Sequence, residues 1–215
     1  MAHLSQDEGF IRAFIRNEDI HARTASEVFG VPLEQVTDEE RRHAKAVNFG
    51  IVYGISDFGL ARDLGISRKE AAWYIENYFA RYPQVKMFID RTVKDAHETG
   101  GVVTMFGRRR ELPGLKSGNF QQRSLAERMA MNTPIQGSAA DIIKLAMIAV
   151  YQRLREAKLK SRILLQVHDE LVVEVPEEET ETTTRILKTA MEGVVTLSVP
   201  LSVDIHQGKN WAEAK

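Results

Sequence analysis

The chain of 215 residues is 43% hydrophobic and 27% charged, with a net charge of −1. It can bury a core as one domain or two subdomains, and a nucleic-acid partner would have to be met by local basic patches. The absence of cysteine excludes disulfide frameworks and cysteine-based zinc sites or nucleophiles. No apolar run approaches the roughly 20 residues of a membrane span, and the start MAHLSQDEG has no secretory pattern, so a soluble cytoplasmic protein is expected.

Residues 3–16 read as a helix with Ser5 as candidate N-cap and Phe10, Ile11, Phe14 and Ile15 on its apolar stripe. After the polar break Asn17-Glu18-Asp19, Asp19 caps a second helix through Thr24 and Phe29. That helix carries His21, most simply read as a surface or capped histidine. Gly30-Val31-Pro32 is a turn, and Thr37-Asp38-Glu39-Glu40 opens a third helix with a cap and an acidic first turn.

On this third helix Arg41, Lys45, Phe49 and Tyr53 step by four and drift by only about 40° per step, so they share one face. Two cations followed by two aromatics can hold a polyphosphate and lay Phe49 against a flat ring, as binding a nucleoside triphosphate requires. The same spacing also describes an amphipathic surface helix whose stripe only packs. Gly50 and Gly54 mark a place that can bend.

Helices over 56–64, 67–82 and 83–99 follow, punctuated by Gly65, Pro83 and Gly100-Gly101. Trp73, Tyr74, Tyr78 and Phe79 suit packing first and base stacking second. Residues 101–110 read as a short hairpin with a basic tip, Arg108, Arg109 and Arg110, a solvated charge run unless it meets phosphates. A loop over 112–119 precedes a long helix expected to run over 121–131, to break at Thr133-Pro134 and to resume over 135–158. Arg128, Asn132 and Gln136 step along its side, either capping a broken helix or facing acceptors in a minor groove.

Residues 161–176 give the clearest strand signal, alternating through Ile163, Leu165 and Val167 and again through Leu171, Val173 and Val175. The turn between them is His168-Asp169-Glu170: a plain polar turn, or two acids placed rigidly enough to hold a hard cation. A helix over 177–194 and a final strand over 197–205, alternating Leu201, Val203 and Ile205, complete the chain before a closing loop.

Three strings occur in the order expected for one family: RRHAKAVNFGIVYG (41–54), MNTPIQGSAAD (131–141) and QVHDE (166–170). Together they resemble the fingers helix and the later palm motifs of the bacterial family A DNA polymerases, the polymerase I type. The resemblance covers essentially the whole chain and implies an α+β fold, with a mostly helical fingers subdomain and a partial palm bearing a small antiparallel sheet. The implied division is a palm-proximal helix (1–18), fingers (19–118) and partial palm (119–215).

It further implies template-directed nucleotidyl transfer from a dNTP to a primer 3′-hydroxyl. Arg41, Lys45, Phe49, Tyr53 and His21 would bind the nucleotide, with Lys45 also catalytic, and the glycine-bearing helix would swing to close over it. Arg108, Arg109, Arg110, Arg128, Asn132, Gln136 and His168 would contact primer-template DNA. Asp169 would ligate one of two Mg2+ ions, with Glu170 as an accessory acid. Phe49, where some members carry tyrosine, is associated in the family with discrimination against dideoxynucleotides.

The family's other essential aspartate strand, its thumb and its nuclease domains have no counterpart here. The expectation is therefore a chain inert alone, whose incomplete palm associates with a complementary polymerase fragment or with itself. A non-catalytic, nucleotide- or nucleic-acid-binding half of a split polymerase is the alternative, and a nucleoid-associated cytoplasmic location is implied. A phage-type RNA polymerase matches the strings less closely.

Overall fold

The computed structural model describes residues 1–214. It forms two compact units, Met1–Ile135 and Gln136–Lys215.

The first unit opens with α1 (Ala2–Ser5) and α2 (Glu8–Ile15) in place of the single helix expected over 3–16. Gln6 turns into the left-handed region at φ 54, and Asp7, not Ser5, caps α2 by accepting from the Gly9 and Phe10 N–H groups. The cap is 3% exposed, so the break is fixed by a buried carboxylate that satisfies two orphan donors. Next come α3 (Ile20–Phe29), α4 (Asp38–Val52), α5 (Asp57–Leu64), α6 (Arg68–Arg81) and α7 (Pro83–Thr99). Asp19 caps α3 and Thr37 caps α4 as the sequence predicts, the latter in a reciprocal capping box with Glu40; in addition Ser56 caps α5, and Ser67 and Glu70 form a second capping box at α6.

Helix α4 packs on α3, and α5 and α6 continue the cluster. Val47 and Leu60 are at most 1% exposed, and burial of each aliphatic side chain is worth about 1.5–3 kcal/mol. The aromatics expected to pack do so unequally. Tyr78 is fully buried, whereas Trp73 stays 47% exposed; Tyr82, outside that set, is buried too, and both tyrosines meet Phe10 edge-on, with ring centroids 6.3 and 4.3 Å away.

Strands β1 (Gly101–Val103) and β2 (Arg109–Glu111) form the expected hairpin, with Val102 opposite Arg110. A Cβ on Gly101 would fall 2.4 Å from the Arg110 carbonyl oxygen, so only glycine fits there.

Helix α8 (Phe120–Glu156) is continuous for 37 residues through Pro134, which corrects the expected break. Proline removes the N–H that would reach the Ala130 carbonyl, at a cost of about 3 kcal/mol in a helix interior. Tertiary packing on both sides of it offsets this. Ala126 and Ala130 are buried with Val102, Leu112 and Leu115 in the first unit, and Val150 and Leu154 in the core of the second.

In the second unit β3 (Arg162–Val167) and β4 (Glu170–Glu174) pair antiparallel, and α9 (Thr180–Glu192) covers them together with the end of α8. A register shift between Ile163 and Leu165 breaks the simple alternation: Ile163 joins the core, while Leu164 and Leu165 are both 49% exposed. Glu179 fastens α9 to the start of the hairpin, accepting from the Lys160 and Ser161 N–H groups and the Ser161 hydroxyl.

The final strand expected over 197–205 is absent. Leu201, Val203 and Ile205 alternate in burial with Ser202 and Asp204. No ladder partner lies beside them among the described residues, and the Val203 N–H goes instead to Glu192. Both sheets therefore have two strands. No helix among the described residues is long and apolar enough to cross a membrane.

Candidate functional site

Ala44, Val47, Asn48 and Ile51 are buried on the side of α4 that packs inward. The opposite face therefore stays open: Lys45, Phe49 and Tyr53 are exposed and Arg41 half-exposed. Arg41 and Lys45 lie one and two turns into the helix, past its acidic first turn.

Arg41 is held from α3. Its Nε and Nη2 lie 2.8 and 2.7 Å from Asp19 Oδ2, while Asp19 Oδ1 caps α3 by accepting from the His21 and Ala22 N–H groups. Burial alone would raise the Asp19 carboxyl, but these N–H groups and the Arg41 guanidinium together hold it below its ordinary value.

His21 is brought to the same face. Its ring centroid is 5.8 Å from that of Phe49, with the planes tilted by 41°, and its Nδ1 lies 3.2 Å from Asn48 Nδ2. Burial, followed by Arg41 and Lys45, pushes its pKa below the usual histidine value against the opposing pull of Asp19. This shift favours the neutral imidazole, which can serve as a hydrogen-bond donor or acceptor.

Beyond Lys45 the face opens onto a cleft of about 550 Å³ between the end of α4, α5 and the start of α8. Phe49, Tyr53, Gly54, Arg62, Ser124 and Arg128 are among its walls. Two aromatic faces and two guanidinium groups border a space large enough for a nucleobase with part of its sugar.

The arginines of the β1–β2 hairpin are not a uniform solvated run. Arg109 pairs with Glu111 at 2.6 Å and donates to the Thr99 carbonyl. Arg110 donates to the Thr133 hydroxyl, which itself donates to the Met129 carbonyl on α8. Arg108 is exposed, and its N–H donates to Thr104 Oγ1. On α8, Arg128 and Gln136 are exposed, and Asn132 buries an Oδ1 acceptor that has no hydrogen-bond partner among the described residues.

His168 and Asp169 form the two-residue turn between Val167 and Glu170, with His168 in the left-handed region at φ 51. His168, Asp169 and Glu170 are all exposed. Among the described residues no three histidine, aspartate or glutamate side chains gather in a metal-holding group. Asp169 and Glu170 are nevertheless hard oxygen donors at the turn of a paired hairpin. Magnesium is commonly held by one or two carboxylates together with substrate phosphates, so the donor chemistry fits that ion.

The sequence reading missed Asn48 and the Asp19–Arg41 pair. Both depend on α3 lying against α4, which no local spacing reveals.

The family model for DNA polymerase family A matches residues 1–213. The chain belongs to DNA polymerase family A. It is 59% identical to a DNA polymerase I of Caldicellulosiruptor bescii and 57% identical to one of Geobacillus stearothermophilus. In each case the whole chain is matched, to 25% and 24% of the relative respectively. This family A chain thus spans about a quarter of the length of the curated relatives it matches. Its fold is similar to the polymerase domain of Pol1 from M. smegmatis, solved in complex with DNA primer-template and dNTP. The TM-score is 0.94 and the identity 48%, covering 99% of this chain and 38% of that one. The α+β class expected from the sequence agrees with that likeness.

Proposed function

We propose that this chain supplies the nucleotide-binding face and one metal-binding carboxylate of a template-directed DNA polymerase. The observation that carries the reading is the open α4 face, on which Arg41, Lys45 and His21 stand beside Phe49 and Tyr53 at the mouth of a base-sized cleft. Residues 19–118 are read as fingers, residues 1–18 as a palm-proximal helix and residues 119–215 as partial palm.

In the reaction a primer 3′-oxygen attacks the α-phosphorus of a dNTP. The new P–O bond forms as the α–β bridging bond breaks, and pyrophosphate leaves. Arg41 and Lys45 neutralise the charge that collects on the β- and γ-phosphates, and His21 donates a hydrogen bond to a phosphate oxygen. Phe49 lies against the sugar, and Tyr53 closes the base side of the cleft. Asp169, with Glu170 as accessory acid, would hold Mg2+, which when bound supplies charge to the phosphates and acidifies the primer hydroxyl.

Arg128, Asn132 and Gln136 are proposed to face minor-groove acceptors shared by all correct base pairs, their guanidinium and amide N–H groups serving as the donors. His168 is assigned to the primer end. Arg108 to Arg110 are assigned to template phosphates, with Arg109 and Arg110 releasing part of their present hydrogen bonding to do so.

Leu145, Ile148, Tyr151, Leu164 and Leu165 are each at least 38% exposed in the second unit. This favours association of that unit with a complementary polymerase segment. The setting would be the cytoplasm, at the nucleoid.

The test has two arms. Titration of this chain with dTTP should weaken at least tenfold on Lys45→Ala. In a complete family A polymerase carrying these residues, Asp169→Ala should abolish magnesium-dependent primer extension. Unaltered extension would remove Asp169 from the metal site, and unaltered titration would remove α4 from the nucleotide site.

A further inference from the structure

Asn48 lies on the buried side of α4, 9% exposed, and reaches across to α3. Its environment is a short chain of polar groups whose protons can be assigned. The Thr24 side chain, fully buried, donates its single hydroxyl proton to the Ile20 carbonyl at 2.7 Å, the shortest contact available to it. Its oxygen is then an acceptor, and Asn48 Nδ2 donates to it at 3.0 Å. The second Nδ2 proton points to His21 Nδ1 at 3.2 Å. Asn48 Oδ1 also lies 3.3 Å from the Thr24 oxygen; with the Thr24 proton given to the Ile20 carbonyl, the amide nitrogen takes the closer 3.0 Å position, and reversing the amide would set Oδ1 at that closer distance against the same acceptor.

We propose that Asn48 is a positioning residue for His21. By donating to Nδ1 it fixes the ring beside Phe49 and leaves Nε2 as the protonated nitrogen, the donor offered to a triphosphate oxygen. The proposal rests on the assignment of His21 to the triphosphate and adds what makes that assignment chemically workable. A histidine with the proton on Nδ1 would turn a lone pair toward an anion, whereas this tautomer turns an N–H.

Asp19, Arg41 and Lys45 are the charged groups that act on the ring. None of them accepts a hydrogen bond from Nδ1, so the amide is what selects the tautomer. Nothing in the local sequence marks the pairing, since Asn48 and His21 are 27 positions apart.

The experiment is long-range proton–nitrogen correlation NMR on this chain labelled with 15N-histidine, at a pH where the ring is neutral, with His21→Gln assigning the signal. The expected wild-type spectrum has His21 Nδ1 unprotonated and Nε2 protonated. In the Asn48→Asp variant the carboxylate should draw a proton onto Nδ1. The wild-type measurement stands whether or not that variant folds, and Nδ1–H in the wild type would overturn the proposal.

A second arm titrates dTTP into wild type, Asn48→Ala, His21→Ala and the double variant. Each single change is expected to weaken binding about three- to tenfold, and the double variant to be no weaker than His21→Ala alone. Additive losses would show that Asn48 acts independently of His21 and would sink the positioning role. Unchanged affinity in His21→Ala, with the tautomer as stated, would instead remove His21 from the triphosphate site.

Discussion

Asp19 and Arg41 are joined across two helices by a carboxylate that divides its oxygens. Oδ1 caps α3, and Oδ2 takes the Arg41 guanidinium at 2.7 Å. The cation assigned to the triphosphate is therefore already partnered by an anion, and nucleotide phosphates must compete for it. Asp19→Ser keeps a capping oxygen and deletes the charge. Thermal unfolding should move by less than about 1 kcal/mol in stability. Affinity for dTTP should rise by about two- to fivefold at low ionic strength, with the gain shrinking as salt is added. A loss of affinity would mean that the pair orients Arg41 more than it restrains it.

The lowered pKa of His21 makes stability depend on pH in a definite direction. The unfolded ring takes up a proton near the ordinary value of 6.5, whereas the folded ring resists it until lower pH. The unfolded state binds more protons over that interval, so stability is complete above the ordinary value and falls as pH drops toward the folded pKa. Denaturant unfolding between mildly alkaline and mildly acidic pH should show this decline, and His21→Gln should flatten it. An equal slope in the variant would place the titration on another group.

Phe49 is 48% exposed and borders the cleft, so a phenolic hydroxyl can be added without displacing a neighbour. Phe49→Tyr should leave stability within about 0.5 kcal/mol. In a complete family A polymerase carrying this helix it should relax discrimination against dideoxynucleotides. Competitive incorporation of ddTTP against dTTP measures this, and an unchanged ratio would take Phe49 out of the sugar pocket.

Gly54 follows α4 with φ +66, and a Cβ there would lie 2.3 Å from Met131 Cε and 3.1 Å from Arg128 Cγ. Gly30 has a comparable φ of +72 with nothing within 4 Å. Both alanine variants carry the left-handed strain of about 1 kcal/mol, while Gly54→Ala must also move two α8 side chains. Chemical denaturation should rank Gly54→Ala as the more destabilising by about 1 kcal/mol. Equal losses would show that Met131 and Arg128 yield freely.

Much of this was legible because the deciding interactions are short in sequence. Thr37 and Glu40 announce α4, Asp19 announces α3, and the four-residue steps from Arg41 to Tyr53 give the open face. The failures share the opposite cause. Pro134 predicts a break from local sterics alone, but α8 is buried on both sides of it and stays whole. Leu201, Val203 and Ile205 predict a strand from alternation alone, yet alternation records a half-buried segment, and a ladder also needs a partner. At the N-terminus the signal is present in Asp7, but periodicity alone runs one helix through 3–16 and hides the cap inside it. Asn48 was invisible because its partners come from another helix.

The turn of His168 and Asp169 leaves no slack between two paired strands. One inserted or deleted residue would rotate the whole returning arm by half a period, exchanging the residues that face α9 for those that face outward. Loop-length variation, tolerated in most surface connections, should therefore be penalised twice at this tip, through the misplaced acid and through the packing of Leu171 beneath it.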